Sequence, residues 1–190
     1  MTPDYVIEAD GGSRGNPGPA SYGTVVREGD RVVAEAAGYL GIATNNVAEY
    51  TGLLRGLEIV AELDPNATVQ ARLDSKLVVE QMSGRWKIKH PDMRDLAIRA
   101  RDAFTPQQVE YCWVPREQNK LADALVNESL DAVQRGADGD VRGEHQHVLG
   151  RLTPQPCRPG AHAPISRCRQ PRPTSPASSS TASRWHTGEA

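Results

Sequence analysis

Cysteine is scarce in this sequence. There are three in 190 residues, and Cys112, Cys157 and Cys168 form neither a zinc-ligand spacing nor a disulfide framework. Cys112 lies in a strand-like run, where it reads as a small buried apolar residue; the other two lie in a C-terminal stretch of different composition. No apolar run is long enough to cross a bilayer as a helix. Met1-Thr2-Pro3-Asp4 lacks the basic region and apolar core of a secretory leader. These absences make a cytoplasmic location the expectation.

What is present divides in two. Hydrophobic residues make up 38% and charged residues 24%, but the averages hide a split. Up to about Val133 apolar and polar stretches alternate as in a folded domain. From Gln134 onward the chain is mostly Arg, Gly, Pro, Ser, His and Ala. Such a composition buries too little apolar surface to offset the entropy of ordering. The sequence therefore predicts a folded domain over 1–133 and a disordered Arg/Pro/Ser-rich tail over 134–190. Charge divides at the same place. Residues 1–133 hold 20 acids and 14 bases, net −6, and residues 134–190 hold 4 acids and 8 arginines, net +4. An acidic domain is not an obvious nucleic-acid binder. Were it one, divalent cations and a local basic patch would have to offset its charge.

Tyr5–Ala9 reads as a strand ending at Asp10, followed by a dense turn region, Gly11 to Pro19. Tyr22–Arg27 and Val32–Leu40 read as the second and third strands of an antiparallel meander. Thr44 or Asn45 can cap a helix with Ala48, Leu53, Leu57 and Val60 on its apolar stripe. Asp64-Pro65-Asn66 breaks it. Val69–Leu73 is a fourth strand ending at Asp74, Leu77–Met82 a short helix, and Pro91 to Phe104 another. Val109–Val114 is the fifth strand, and Asn119 can cap a last helix to about Val133. The order β-β-β-α-β-α-α-β-α predicts an α/β fold: a five-stranded mixed sheet flanked by helices, with parallel pairing across the strand–helix–strand crossovers. There is no internal repeat.

Four acids sit at element ends. Ligands of open α/β sheets collect at the carboxyl ends of parallel strands. If the first and fourth strands are parallel neighbours, Asp10 and Asp74 stand side by side. Glu49 and Asp123 fall near the starts of their helices, where carboxylates are favoured. Four converging acids would repel unless cations intervene. Mg2+ suits sparse carboxylate coordination, and two ions about 4 Å apart clamp the attacking and leaving oxygens of a phosphoryl transfer. Each acid also admits a plain role. Asp10 could be a turn residue, Asp74-Ser75 a helix cap, and Glu49 and Asp123 solvated face residues. Periodicity alone leaves a generic α/β domain as the favoured answer.

The motifs go further. Asp10-Gly11-Gly12 with Gly15-Asn16-Pro17-Gly18-Pro19, Thr44-Asn45-Asn46-Val47-Ala48-Glu49, Leu73-Asp74-Ser75 and Asn119-Lys120-Leu121-Ala122-Asp123 follow one another in order. Together they resemble the type 1 ribonucleases H across nearly all of residues 4–131. The resemblance implies a ribonuclease H-like fold and metal-dependent endonucleolytic hydrolysis of the RNA strand of RNA–DNA hybrids, leaving 5′-phosphate and 3′-hydroxyl ends. It implies two Mg2+ ions, with Mn2+ as an alternative, held by Asp10, Glu49, Asp74 and Asp123. Asp10 would bridge both. Asp123 would share with it the ion that activates the attacking water, and Glu49 and Asp74 the ion that stabilises the leaving 3′ oxygen. Asn16, Asn45 and Asn46 would read 2′-hydroxyls in the hybrid's minor groove, since an amide both donates and accepts as a 2′-OH does. Thr44 and Asn119 would hold a phosphate of the DNA strand.

Arg85-Trp86-Lys87 and Lys89 form the clearest basic and aromatic cluster. It reads either as a charged helix terminus with a packed tryptophan or as a groove for the DNA strand. The long basic protrusion of many bacterial members is missing, as in the shorter archaeal and actinobacterial branch. So is their loop histidine: Val114-Pro115-Arg116-Glu117-Gln118 offers Arg116 instead, for the scissile phosphate or as a plain surface residue. The tail has no Arg-His-Gly motif of the histidine-phosphatase domain that follows in some actinobacterial relatives, so a truncated fusion and a plain extension both stay open. No membrane or obligate protein partner is implied, and a monomer is expected. Two competing readings remain: a related nuclease with another nucleic-acid substrate, and an inactive hybrid-binding module.

Overall fold

The computed structural model describes residues 3–135. Beyond Gln134 and Arg135 the expected tail, with Cys157 and Cys168, lies outside the described residues. The elements run β1 (Tyr5–Ser13), β2 (Gly18–Glu28), β3 (Arg31–Ala43), α1 (Asn45–Leu63), β4 (Val69–Leu73), α2 (Lys76–Met82), α3 (Pro91–Ala103), β5 (Val109–Trp113), a short 3-10 turn (Arg116–Gln118) and α4 (Lys120–Gln134). The expected order is met. α4 ends one residue past the boundary that composition suggested. Among the described residues no helix is long and apolar enough to cross a membrane.

The sheet order is β3-β2-β1-β4-β5. β1 pairs antiparallel with β2 and β2 with β3, whereas β1–β4 and β4–β5 are parallel. The meander and the crossovers are therefore both present. The main core lies between the sheet and helices α1–α3, around Ile7, Tyr50, Leu53, Leu57, Leu73, Val78 and Phe104.

β1 is longer than its sequence pattern. It continues through Asp10, Gly11 and Gly12 to Ser13, paired with β2 down to Ser13↔Ala20. The glycines that looked like a turn are strand residues over which helices pass closely. A Cβ on Gly11 would lie 2.1 Å from the Glu49 nitrogen, and one on Gly12 would lie 2.9 Å from a Val126 methyl. Successive strand residues face opposite sides of a sheet, so α1 and α4 cover opposite faces. The hairpin turn itself is confined to Arg14–Pro17, closed by Arg14 N–H donating to the Pro19 carbonyl at 2.8 Å. Gly15 supplies the positive φ of 111° that this turn needs.

Candidate active site

The β1–β4 ladder ends at Ala9↔Leu73. Asp10 and Asp74 are the next residues on two parallel strands whose ordinary spacing is about 4.8 Å. Glu49 comes in on α1 from one face and Asp123 on α4 from the other. The four acids thus meet at one end of the sheet. Asp10 is not past the end of its strand, as expected, but inside it, opposite Gly23. Pairing with β2 outlasts pairing with β4, and this fixes its backbone on one side while leaving the β4 side open.

Each carboxylate has its own polar neighbours. Gly11 N–H donates to Asp10 Oδ1 at 2.8 Å. Glu49 accepts from Asn45 Nδ2 at 2.8 Å and from Ser75 Oγ at 2.5 Å. Asp74 accepts from Asn119 Nδ2 at 3.0 Å. Asp123 pairs with Arg116 and accepts from Asn127 Nδ2 at 3.2 Å. Burial pushes the Asp10 carboxyl up to about 6, with the Asp74 charge adding and the Gly11 N–H opposing. Burial likewise pushes Glu49 up to about 7; the Ser75 hydrogen bond opposes it, and the charges of Asp10 and Asp74 add to it. Mutual repulsion in a partly dry site is what a hard divalent cation relieves. The donor set, all oxygen, fits such a cation in kind. As placed, no three acid, histidine or cysteine side chains among the described residues are grouped to hold an ion. Arg116, Asn119, Ser75 and Asn45 occupy the carboxylate oxygens instead.

The amides expected to read the hybrid divide. Asn16 and Asn45 come together from two elements: Asn45 N–H donates to Asn16 Oδ1 at 3.3 Å. Asn46 follows in the first turn of α1, partly exposed. Of the two possible caps for α1, Thr44 takes the role, accepting from Val47 N–H at 3.3 Å. Asn119 departs from both of its expected roles. It occupies the N-cap position of α4 without a side-chain cap bond. It is also fully buried, so its amide offers nothing to a phosphate. It donates instead to the Ala9 carbonyl at 2.9 Å and to Asp74. Two acceptors that close claim both amide protons and draw the side chain inward.

The basic segment lies between α2 and α3, with Arg85, Trp86, Lys87 and Lys89 all exposed. Arg85 pairs with Glu80. The buried Gln81 accepts from Tyr50 Oη at 2.9 Å and donates to the Lys87 carbonyl at 3.1 Å, which fixes the segment to the core. Trp86 is 47% exposed, about half covered and half open to water. Sequence reasoning missed Gln81, the Ser75–Glu49 bond and Trp113, whose indole N–H donates to the Asp74 carbonyl at 2.9 Å. Only the Trp113 position had a signal, since an aromatic ends β5 beside Leu73, the residue before Asp74.

A family profile described as Reverse transcriptase-like matches residues 8–129. Among curated proteins, the Bifunctional protein Rv2228c of Mycobacterium tuberculosis is 54% identical over 139 residues, 71% of this chain but 38% of that protein. The chain therefore spans well under half the length of that relative. The solved N-terminal RNase H domain of the same mycobacterial protein, fused to maltose binding protein, superposes with a TM-score of 0.66 at 50% identity, covering 70% of this chain and 98% of that one. RNase H1 from the archaeon Halobacterium salinarum gives 0.63 at 43% identity, covering 67% and 98%. LC11-RNase H1, isolated from compost and solved in complex with an RNA/DNA hybrid, gives 0.64 at 36% identity, covering 68% and 99%.

Proposed function

Because the chain belongs to the type 1 ribonuclease H family, in its actinobacterial and archaeal branch, we propose that it cleaves the RNA strand of RNA–DNA hybrids endonucleolytically, leaving 5′-phosphate and 3′-hydroxyl ends. The family makes the described domain a ribonuclease H-type hydrolase and implies dependence on a divalent metal. The observation that supports the reading best is the meeting of Asp10 and Asp74, one step past the β1–β4 ladder, with Glu49 and Asp123 arriving on helices from opposite faces.

Two Mg2+ ions, with Mn2+ as an alternative, held by Asp10, Glu49, Asp74 and Asp123 would supply an activated water and stabilise the leaving 3′ oxygen. The chain's own residues do the rest. Ser75 and Asn45 orient Glu49, and Asn119 orients Asp74. Arg116, 71% exposed and paired with Asp123, stands where a phosphate oxygen could take its free N–H groups. Asn16, Asn45 and Asn46 serve the minor groove, where 2′-hydroxyls mark the RNA strand. Trp86, Lys87 and Lys89, with Arg85, serve the DNA strand, and Thr44, next to Asn45 in the chain, holds a phosphate of that strand. A monomer suffices for this arrangement. A cytoplasmic location goes with this reading. Residues 134–190 are proposed to be dispensable for chemistry.

The deciding experiment is cleavage of labelled substrates by the full chain with Mg2+, and with EDTA as control. Hybrid, duplex with one embedded ribonucleotide, and plain duplex DNA are compared. Hybrid cleavage that EDTA abolishes is expected. Cleavage of the other duplexes alone would establish the related-nuclease alternative. Tight Mg2+-dependent hybrid binding without cleavage would establish the binding module.

A further inference from the structure

Strand side chains alternate, so Val109, Tyr111 and Trp113 fall on one face of β5. Val109 and Tyr111 are buried in the main core. Trp113 has the same parity, yet it is 52% exposed. Its one polar group is turned inward, the indole N–H donating to the Asp74 carbonyl at 2.9 Å. That bond sets the ring's orientation, and what remains in water is apolar. Trp113 is also the ladder partner of Leu73, so the ring stands beside the acid cluster on its β5 side. The sheet order puts Asn16 and Asn45 on the opposite side, toward β2 and β3. Arg116, three residues on, adds a cation near the same acids. Exposure alone does not mark a site, since Ile42 and Ile98 are also open to water; what sets Trp113 apart is a ring held by the Asp74 carbonyl, beside the acids.

We propose that Trp113 is a substrate-contacting residue whose exposed indole face packs against a ribose of the RNA strand next to the scissile phosphate. The inference rests on the hybrid reading given above. A ribose is preferred over a base because bases within a hybrid are already stacked on one another. The accessible apolar surface of the strand is the sugar edge along the wide minor groove. Indole suits it, having a large apolar body and a polar tip that is satisfied elsewhere.

The test is binding of labelled hybrid in Mg2+ by the full chain carrying Asp10→Asn, which blocks cleavage. Adding Trp113→Ala is expected to weaken binding about tenfold, as the loss of one aromatic contact face would. Adding Trp113→Phe, which keeps a ring and loses the N–H, is expected to stay within about threefold. A role confined to clamping the Asp74 carbonyl would make the Phe variant bind like the Ala variant, and that result overturns the proposal. Unchanged affinity in the Ala variant overturns it too. If the Asp10→Asn parent fails to bind hybrid at all, the hybrid reading falls and this inference with it. A second measurement does not depend on how the Ala variant folds. Replacing Trp86 and Trp185 by Phe leaves Trp113 as the one tryptophan of the three in the chain. Its emission is expected to lose most of its access to acrylamide when hybrid is added, and unchanged access overturns the proposal.

Discussion

The Asn119 side chain donates to Asp74 Oδ1 at 3.0 Å across 45 residues of sequence. The same amide donates to the Ala9 carbonyl at 2.9 Å. One buried side chain thus ties the strand before Asp10, the carboxylate of Asp74 and the start of the helix that carries Asp123. Asn119→Ala removes both bonds and leaves two acceptors short of a donor, so a loss of about 1–3 kcal/mol is expected in urea denaturation. Asn119→Asp turns a carboxylate toward those acceptors and is expected to lose more at pH 8 than at pH 5. Equal stability of the Ala variant and the parent would remove Asn119 from the frame of the site.

Asp10→Asn is expected to abolish cleavage in Mg2+ with the fold intact, because Asp10 is the acid placed between the other three. Relief of its repulsion with Asp74 should leave the metal-free protein at least as stable as the parent. Circular dichroism and single-turnover cleavage check both halves. Activity within tenfold of the parent would sink the four-carboxylate mechanism.

The raised carboxyls of Asp10 and Glu49 also give a pH signature. Both bind a proton more readily in the folded protein than in the unfolded chain, so in the window between the two pKa values the native state holds more protons. Stability contributed this way is intact below about pH 4 and is lost as pH rises toward 6 and 7, the positions of Asp10 and Glu49. In EDTA, the midpoint of urea unfolding is expected to fall across that window. Mg2+ should flatten the fall, because a bound cation favours the ionised acids. A metal-free midpoint that rises steadily from pH 4 to 7 would contradict the burial of these two groups.

Gly11→Ala tests the close approach of α1 to β1. The added Cβ would lie 2.1 Å from the Glu49 nitrogen and 2.2 Å from the Ala48 carbonyl carbon, both backbone atoms. The helix would have to move, and it carries Glu49. A stability loss of about 3 kcal/mol or more is expected, with activity lost even in protein that stays folded. Denaturant titration and cleavage assays on one preparation would show it.

Hybrid binding is expected to weaken with salt less steeply than in a strongly basic binder, since the domain is acidic and few cations can reach phosphates. Replacing Arg85, Lys87 and Lys89 together should lower both affinity and salt slope. Arg85 already pairs with Glu80, so the slope should fall by about two contacts rather than three. An unchanged slope would place the phosphate contacts elsewhere.

The element order, the division near residue 133 in composition and charge, and the four acids with the amides around them are all legible in the order of residues. These follow from short-range rules. Periodicity sets the elements, Thr44 and Ser75 take cap positions that local chemistry favours, and motif spacing keeps Glu49, Asp74 and Asp123 near element ends. The rest depends on contacts between distant segments. Gly11 and Gly12 read locally as a turn, but β2 keeps pairing with them and helices press on both faces, so Asp10 ends inside a strand. Asn119 sits at a helix start that locally favours capping, yet Asp74 and Ala9, both far away in sequence, offer it stronger company in a buried site. Trp113 has the parity of a core residue, but parity says which face a side chain takes and not whether anything covers it. At the end of β5 the core has run out, and the ring is left beside the acids.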